Sequence, residues 1–282
     1  MCGRFNIIDD PLTKLLVEIT GQHYSVETRF NIAPTEQIPV LVMREEGGWD
    51  LQDMRWWLLP YWAKEVTTKY SMFNAKSETL AKSSAFREPF KKGRCIIPAS
   101  GYYEWKKEGG IKVPYYMEPR DEAGFAFAGL WDRWQSGEQV IESCTIITAA
   151  APESMKAIHN RIPVHLSRDQ VNEWVAPEAS PDRLMELLAP EIRFPLAVTP
   201  MSTYVNNARN KGEGCIEPAE GRVSSWNFLE TVGNCESLIW INFVQANDDL
   251  TPYDKRQPCC HPGHESNHRK RLACVPRQVP HL

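Results

Sequence analysis

Short apolar segments dominate the pattern of hydrophobic and polar residues along the chain. They are rich in β-branched and aromatic residues and are separated by glycine, proline or charged residues, which is typical of strands and their turns. One of them, GYYEWKKEGGIKVPYYM, predicts a hairpin that turns around Glu108, Gly109 and Gly110. The predicted strands are IPVLVMR, LQDMRWW, RCIIPA, GYYEW, KVPYYME, FAFAGLW and VIESCTIITA.

Helical periodicity is confined to a few segments. DDPLTKLLVEIT predicts a first helix, because Pro11 suits a first helical turn and apolar residues then recur every three or four positions. Shorter helices are predicted in PESMKAIHN, SRDQVNEWV and SPDRLMELL. Since strands and helices do not alternate as in a doubly wound sheet, the pattern predicts an α+β domain with a largely antiparallel β core flanked by helices.

The composition of the chain changes near residue 218. An apolar patch, SLIWINFV, is followed by a stretch without apolar periodicity, so we expect one domain over residues 1–218 and a poorly ordered C-terminal extension over residues 219–282. This tail carries zinc-binding residue types, but adjacent cysteines followed by scattered histidines are not the usual paired ligands, and a solvated tail without metal is favoured. The residues in question are Cys259, Cys260, His261, His264, His268 and Cys274.

Length and composition exclude several classes of protein. The 282 residues are 42% hydrophobic, no window holds the roughly 18 consecutive apolar residues of a membrane span, and the amino terminus lacks a secretory signal. We therefore expect a monomeric cytoplasmic protein that has no membrane partner and is nucleoid-associated if bacterial.

The charge distribution bears on nucleic-acid binding. A net charge of −4 argues against binding through bulk positive charge but leaves room for a local basic groove. Basic residues in AFREPFKKGR and tryptophans in WWLLPYW are of the types that line single-strand grooves, although composition alone favours a solvated turn beside core tryptophans. The basic residues are Arg87, Lys91, Lys92 and Arg94.

The most distinctive chemistry lies at the amino terminus, where Cys2 follows Met1. If Met1 is removed, Cys2 carries an α-amine with a pKa of about 7.7 to 8.0 and a thiol with a pKa of about 8.5 on adjacent carbons. The amine can condense with an aldehyde to an imine, and the thiolate can close on the same carbon to form a thiazolidine ring. An internal cysteine cannot do this, because its nitrogen belongs to an amide.

Two other functions are compatible with a terminal cysteine or with the basic and aromatic segments. An amino-terminal nucleophile hydrolase uses the amine as base and the thiol to attack an amide, and class II glutamine amidotransferases begin with a similar Met-Cys-Gly. Such an enzyme needs an oxyanion hole, whereas aldehyde capture needs a proton shuttle and a groove for the aldehyde carrier. The second alternative is a non-catalytic module that binds single-stranded DNA.

Several further segments, together with the terminus, resemble the SRAP family of SOS response-associated peptidases, or abasic site processing proteins, from residue 2 to about residue 218. The resemblance implies a protein of the DNA damage and SOS response that recognises abasic sites in single-stranded DNA. It also implies a covalent thiazolidine crosslink through the terminal cysteine, which shields the lesion. The segments are MCGRFN, RFNIAPTEQIPVL, RWWLLPYW, FNAKSET, RCIIPASGYYEW, ITAAAPESMKAIHNRIPVHL and VNNARNKGEGCIEP.

The resemblance also implies activities and site residues. Cys2 matches the crosslinking nucleophile, and the family's peptidase (hydrolase) activity removes Met1. Asn74 matches the asparagine that lines the Cys2 pocket, Glu104 the acid that moves protons during imine formation, and His159 the histidine that assists sugar ring opening and crosslink reversal. Some strand-cleaving lyase activity follows from β-elimination of the imine. No metal or organic cofactor is expected.

Residues for the DNA-binding face follow from the same resemblance. Arg4 matches a phosphate-contacting arginine, and Arg161 is either a second one or a surface charge. Trp62 and Thr148 are further candidates. Lys76 stands where many members carry arginine.

Two simpler interpretations remain beside these roles. Without the resemblance, Asn74 is more typical of a turn or helix cap, and Glu104 of the solvent-facing member of an alternating strand.

A second departure from the family pattern is Trp57, which stands where many members carry glycine and adds bulk or a stacking surface to the groove.

Overall fold

The computed structural model describes residues 2–44, 46–220 and 226–228. SLIWINFV and the tail cysteines and histidines lie outside these residues, so the domain boundary near residue 218, the order of the extension and the tail's metal binding stay predictions. Of residues 226–228 only the strand is described.

Strands are the main regular structure of the described chain, and most of the helices are short. The strands are β1 (Arg4–Ile7), β2 (Arg29–Ile32), β3 (Gln37–Met43), β4 (Trp49–Trp56), β5 (Asn74–Lys76), β6 (Arg94–Ala99), β7 (Gly101–Glu108), β8 (Ile111–Pro119), β9 (Phe125–Ser136), β10 (Gln139–Ala150), β11 (Arg161–Pro163), β12 (His165–Leu166), β13 (Leu196–Pro200) and β14 (Trp226–Phe228). The α-helices are α1 (Asp9–Thr20), α2 (Arg87–Lys92), α3 (Glu153–Lys156), α4 (Arg168–Val175) and α5 (Pro181–Leu187), and 3₁₀ helices span Ser77–Lys82, Thr203–Asn206 and Glu213–Ile216.

The strands form two sheets. The six-stranded sheet has the order β14-β13-β8-β7-β1-β2, and the eight-stranded sheet has the order β11-β10-β4-β3-β6-β9-β12 with β5 beside β10. In the second sheet β9 also pairs with β10, so the circuit β10-β4-β3-β6-β9 closes into a barrel. Among the described strands, only β4 and β5 pair in parallel, both with β10. The predicted α+β class with a largely antiparallel core is confirmed.

The predicted local elements are largely present. β7 and β8 form the predicted hairpin, with Glu108 opposite Ile111 and with φ of 54° at Gly109 and 86° at Gly110, which glycine adopts without strain. α1 begins and ends where the pattern predicts and buries its leucines in the core. PESMKAIHN is different, because its helix ends at Lys156 and the following residues form a loop that leads into β11.

β1 lies between β7 and β2 in the six-stranded sheet and carries the amino terminus into the domain. β1 pairs with β7 in the register Arg4 opposite Tyr103, and Phe5 packs edge-on against Trp56 of the barrel at 5.0 Å. Cys2, which directly precedes this strand, is fully buried in the core cluster that includes residues of both sheets.

Arg94 holds two helices against the barrel. Its guanidinium donates hydrogen bonds to carbonyl groups at the C-terminal ends of α2 and α4, where the helix dipole favours a positive charge. The acceptors are the carbonyl oxygens of Phe90 (2.8 Å), Lys91 (2.8 Å), Trp174 (2.7 Å) and Ala176 (2.7 Å).

We expect Arg94→Met to lower the free energy of unfolding by about 3 kcal/mol, because it leaves several buried carbonyl groups without donors. Urea unfolding measures this loss. The matched control is Arg87→Met, an exposed arginine of α2, which should change stability by less than about 0.5 kcal/mol. Equal unfolding midpoints for the two variants would contradict this role of Arg94.

Candidate active site and nucleic-acid interface

Asn74 fixes the position of Cys2. Its side-chain Nδ2 donates a hydrogen bond of 2.7 Å to the carbonyl oxygen of Cys2, and the Asn74 side chain is itself buried. Asn74 lies on β5, which pairs in parallel with β10 of the barrel, so a rigid sheet supports the contact. Among the described residues, no donor reaches the buried Oδ1 of Asn74, which leaves an acceptor beside Cys2.

Burial controls the protonation of the Cys2 thiol. It raises the thiol pKa well above its ordinary value, and the nearby negative charge of Glu104 raises it further. The thiol is therefore protonated at neutral pH. Its Sγ lies 3.8 Å from the carbonyl oxygen of Arg4, to which it donates a weak hydrogen bond.

Glu104 lies on β7 beside the start of β1. Its side chain is 4% exposed, so it is not the solvent-facing member of an alternating strand. Burial raises its pKa to about 7. A carboxyl group with this pKa exists in both protonation states near neutral pH and can therefore donate and accept protons.

His159 completes the group from the loop between α3 and β11. Nδ1 of His159 lies 3.0 Å from the backbone nitrogen of Arg161 and 3.2 Å from its carbonyl oxygen, so the Arg161 backbone orients the ring. Nε2 lies 3.9 Å from Oε2 of Glu104. Burial lowers the pKa of His159 below its ordinary value, so the ring is mainly neutral at pH 7.

Tyr102 is a further buried polar group near this site. Its hydroxyl has no hydrogen-bond partner among the described residues. Burial raises its pKa, and its proximity to the ionisable groups of Glu104 and Cys2 raises it further. Sequence reasoning missed this residue, because an aromatic side chain in a strand usually belongs to the core.

A groove of about 880 Å³ opens over Glu104 and His159. Most of its charged lining residues are basic, although the net charge of the chain is −4. The lining residues are Gly3, Arg4, Glu104, Trp105, Lys106, Lys107, Lys112, Lys156, Ala157, Ile158, His159, Asn160 and Asn206. The groove thus brings an acid–base pair and several cations to one surface beside the amino terminus.

Arg4 lies in the groove wall and is tied to the rest of the domain. Its Nη1 donates to Oδ1 of Asn31 at 2.9 Å and to the carbonyl oxygen of Val205 at 3.0 Å. The guanidinium carbon also lies 5.6 Å from the ring centroid of Trp105, which is a cation–π contact. Arg4 therefore presents a positioned positive charge next to Cys2.

Arg161 is held by groups of its own chain. Nη1 and Nη2 form a bidentate ion pair with Glu78 at 2.6 and 3.0 Å, and Nη2 also donates to the carbonyl oxygen of Thr148. Thr148 is fully buried. Its direct contact is therefore with Arg161, which it supports. This pair fixes the backbone of Arg161, whose N–H orients the His159 ring.

The other two candidates for the DNA-binding face are exposed. Trp62 is 50% exposed, and its Nε1 donates to the carbonyl oxygen of Ser84 at 3.1 Å. Lys76 is exposed at the end of β5, two residues after Asn74. Trp57 packs against Phe73, which is the residue before Asn74, and their ring centroids are 5.3 Å apart.

The basic lining of the groove was missed by sequence reasoning. The cluster in AFREPFKKGR lies on and after α2, where Arg94 is buried against helix ends and Lys91 pairs with Glu88, so none of it lines the groove. The groove lysines come instead from the β7–β8 hairpin and from α3. Two adjacent lysines directly after GYYEW were the available signal, but charged residues beside a turn usually indicate only solvent exposure.

Two features are absent from the described part of the chain. No set of three or more His, Cys, Asp or Glu residues there comes together in a way that could hold a metal ion. No helix there has the length and apolar character needed to cross a membrane.

Comparison with known proteins gives consistent matches. A family model described as SOS response associated peptidase (SRAP) matches residues 1–208. The abasic site processing protein YoaM of Bacillus subtilis is 36% identical over 223 residues, which cover 77% of this chain and 98% of the relative. The abasic site processing protein HMCES of Gallus gallus is 30% identical over 259 residues, which cover 80% of this chain and 75% of the relative.

Solved structures match as well. A protein from Bacteroides thetaiotaomicron has a TM-score of 0.60 and 25% identity, with 67% of this chain and 84% of that one covered. A protein from Bordetella bronchiseptica has a TM-score of 0.62 and 24% identity, with 71% of this chain and all of that one covered, and it supports the fold alone.

Proposed function

The chain belongs to the SOS response associated peptidase (SRAP) family, and from this premise we propose that it captures abasic sites in single-stranded DNA as a covalent thiazolidine adduct of Cys2. The adduct shields the lesion during the DNA damage response. The observation that carries the proposal is that Glu104 and His159 line a basic groove together with Gly3, directly after the buried Cys2 that Asn74 holds.

The first step exposes the nucleophile. Hydrolysis of the Met1–Cys2 peptide bond consumes one water and leaves the α-amine on Cys2. Oδ1 of Asn74 is an acceptor for an N–H of this amine, because Nδ2 of the same amide already donates to the Cys2 carbonyl group. The hydrolysis is the peptidase activity of the proposal.

The second step forms the imine. The amine nitrogen attacks C1′ of the ring-opened sugar, and the carbinolamine loses water when a proton reaches its hydroxyl group. Glu104 is suited to deliver this proton because its pKa is about 7. The mainly neutral His159, whose Nε2 lies 3.9 Å from Oε2 of Glu104, is suited to exchange a proton with the sugar oxygen.

The third step closes the ring. Because the Cys2 thiol is protonated at neutral pH, the amine reacts first, and the thiol adds to the imine carbon afterwards. A C–S bond forms, the S–H proton leaves through the Glu104 carboxylate, and the imine nitrogen gains a proton. The sum of amine, thiol and aldehyde is one thiazolidine and one water. An imine that loses a proton from C2′ before closure eliminates the 3′ phosphate, which is the proposed minor lyase activity.

The test is the mass of the product. The protein is incubated with a single-stranded oligonucleotide that carries one abasic site, and the heated adduct is analysed by intact mass spectrometry. We expect the mass of the protein without Met1 plus the oligonucleotide minus one water. A retained Met1 in the adduct, or glutamine hydrolysis without any adduct, would refute the proposal, and the latter would favour the amidohydrolase.

A further inference from the structure

The β7–β8 hairpin forms one wall of the groove. β1 pairs with β7 only from Arg4 to Asn6, opposite Tyr103 to Gly101, so β7 continues past the start of β1. From Trp105 onward β7 is paired with β8 in a regular antiparallel register that ends with Glu108 opposite Ile111. This part of the hairpin follows directly after Glu104 along the groove.

Two lysines lie directly opposite each other on this hairpin. Lys107 is paired with Lys112 in the strand register, and both are exposed and line the groove. Like charges at directly opposed positions of an antiparallel pair repel each other. The arrangement therefore costs stability in the free protein and becomes favourable when an anion lies between or across the two ammonium groups.

The nearest acidic residue of the hairpin does not neutralise these lysines. Glu108 forms an ion pair with Lys106 at 3.0 Å and accepts a hydrogen bond from the Tyr115 hydroxyl at 2.8 Å. Within the described ranges no carboxylate forms an ion pair with Lys107 or Lys112.

An aromatic residue shares the face of the two lysines. Side chains alternate along a strand, so Trp105 projects on the same side as Lys107, and Lys112 projects there as the partner of Lys107. Trp105 is fixed by a 2.6 Å hydrogen bond from its Nε1 to Oδ1 of Asn206 and carries the guanidinium of Arg4 at 5.6 Å. A fixed aromatic ring beside cations is the combination that binds single-stranded nucleic acid, because bases stack and phosphates need charge.

We propose that this face of the hairpin, formed by Trp105, Lys107 and Lys112, binds the single strand on one side of the lesion, with phosphates at the two lysines and a base on Trp105. The proposal deepens the proposed function and rests on it for the identity of the ligand. It assigns the single-stranded DNA a path that leaves the Cys2 pocket along β7.

The first experiment measures binding of a single-stranded oligonucleotide without an abasic site as a function of salt. For Lys107→Gln/Lys112→Gln we expect the slope of log K against log salt to fall by about 1.4, since each phosphate contact of a single strand contributes about 0.7. The matched control is Lys91→Gln/Lys92→Gln on α2, which removes the same charge outside the groove and should leave the slope unchanged. Equal slopes for the two double variants would overturn the proposal.

The melting temperature separates binding from folding. Because the substitution relieves a repulsive pair, the Lys107→Gln/Lys112→Gln variant should melt at the same temperature as the unaltered protein or higher. A lower melting temperature would mean that the lysines support the fold, which contradicts the inference.

A second pair of substrates tests the path. One oligonucleotide carries nucleotides only on the 5′ side of an abasic site, and the other carries them only on the 3′ side. The rate of adduct formation with each is measured below saturation. We expect the double variant to react more slowly with one of them only. Equal loss on both, or on neither, would overturn the assigned path. Failure of the proposed function is recognised separately, because then the unaltered protein forms no adduct even with 2-deoxyribose 5-phosphate.

Discussion

Cys2→Ala is expected to abolish the heat-stable DNA adduct while it retains an imine that borohydride can trap. The substitution keeps the α-amine of residue 2 but removes the thiol that closes the ring. An imine hydrolyses reversibly, whereas the five-membered ring holds the sugar carbon by both nitrogen and sulfur. The measurement is a denaturing gel of the abasic oligonucleotide with and without borohydride, on protein whose lack of Met1 has been checked by intact mass.

The matched control is Cys215→Ser, another buried thiol of the described region. Its Sγ lies 3.3 Å from the carbonyl oxygen of Asn210, and serine retains a donor for this contact. This variant should form the adduct in full yield. A Cys2→Ala protein that gives no trapped product with borohydride would contradict the order in which the amine attacks before the thiol.

Glu104→Gln is expected to slow adduct formation by about 100-fold or more, within the usual range for the loss of a general acid or base. Glutamine preserves the shape and the acceptor oxygen of the side chain but does not exchange protons near neutral pH. The measurement is the rate constant for adduct formation with saturating DNA. Glu108→Gln, four residues further along β7 and outside the groove lining, is the control and should react at nearly the unaltered rate.

The pH dependence of the rate gives a sharper test of Glu104. A free terminal amine with a pKa of about 7.7 to 8.0 must be deprotonated, which lowers the rate at acid pH. Glu104 must be protonated for dehydration, and its pKa of about 7 lowers the rate at alkaline pH. We therefore expect a bell-shaped profile with its maximum between about pH 7 and 8. The remaining activity of Glu104→Gln should rise with pH and level off, and a retained alkaline decline would contradict the assignment.

The raised pKa of Glu104, which suits it to proton transfer, also makes the folded protein less stable at alkaline pH. In the unfolded chain Glu104 titrates near its ordinary pKa of 4.5, whereas in the folded protein its pKa is about 7. The folded state holds the proton more tightly, so the contribution of Glu104 to stability is fully present below pH 4.5 and is lost as the pH rises through 7. The loss amounts to about 3 kcal/mol. Glu104→Gln should therefore be more stable than the unaltered protein at pH 8, as urea unfolding can show.

The local elements could be predicted because their signals lie within short segments. β-Branched and aromatic runs indicated the strands, two glycines indicated the β7–β8 turn, and the leucines of α1 indicated its buried face. The barrel closure could not be predicted, because it depends on pairing β10 with β4, β3 with β6 and β6 with β9, which are far apart in the sequence and leave no local pattern. The helix predicted in PESMKAIHN is present as α3 but ends earlier than the residue types indicate, at Lys156.

The features of the candidate site also divide into those that the sequence indicated and those that only the structure showed. The resemblance supplied Cys2, Asn74, Glu104 and His159 as residue types at family positions, and the structure brings them together through β1, β5, β7 and the loop before β11. The sequence did not indicate that Thr148 would be buried beneath Arg161, or that Glu78 would neutralise this arginine. It also did not separate the groove lysines from the lysines of α2, because the charge of a side chain says nothing about which residues face it.

The sequence by itself determined the α+β class, most element positions and the reactivity that Cys2 would gain as a terminal residue, because each depends on residue types within a few positions. The tertiary structure alone decided the burial that raises the pKa of Glu104, the orientation of the His159 ring by the Arg161 backbone and the opposition of Lys107 and Lys112. These three properties arise from desolvation, hydrogen bonding and strand register. Each of them depends on groups that are brought together only when the chain has folded.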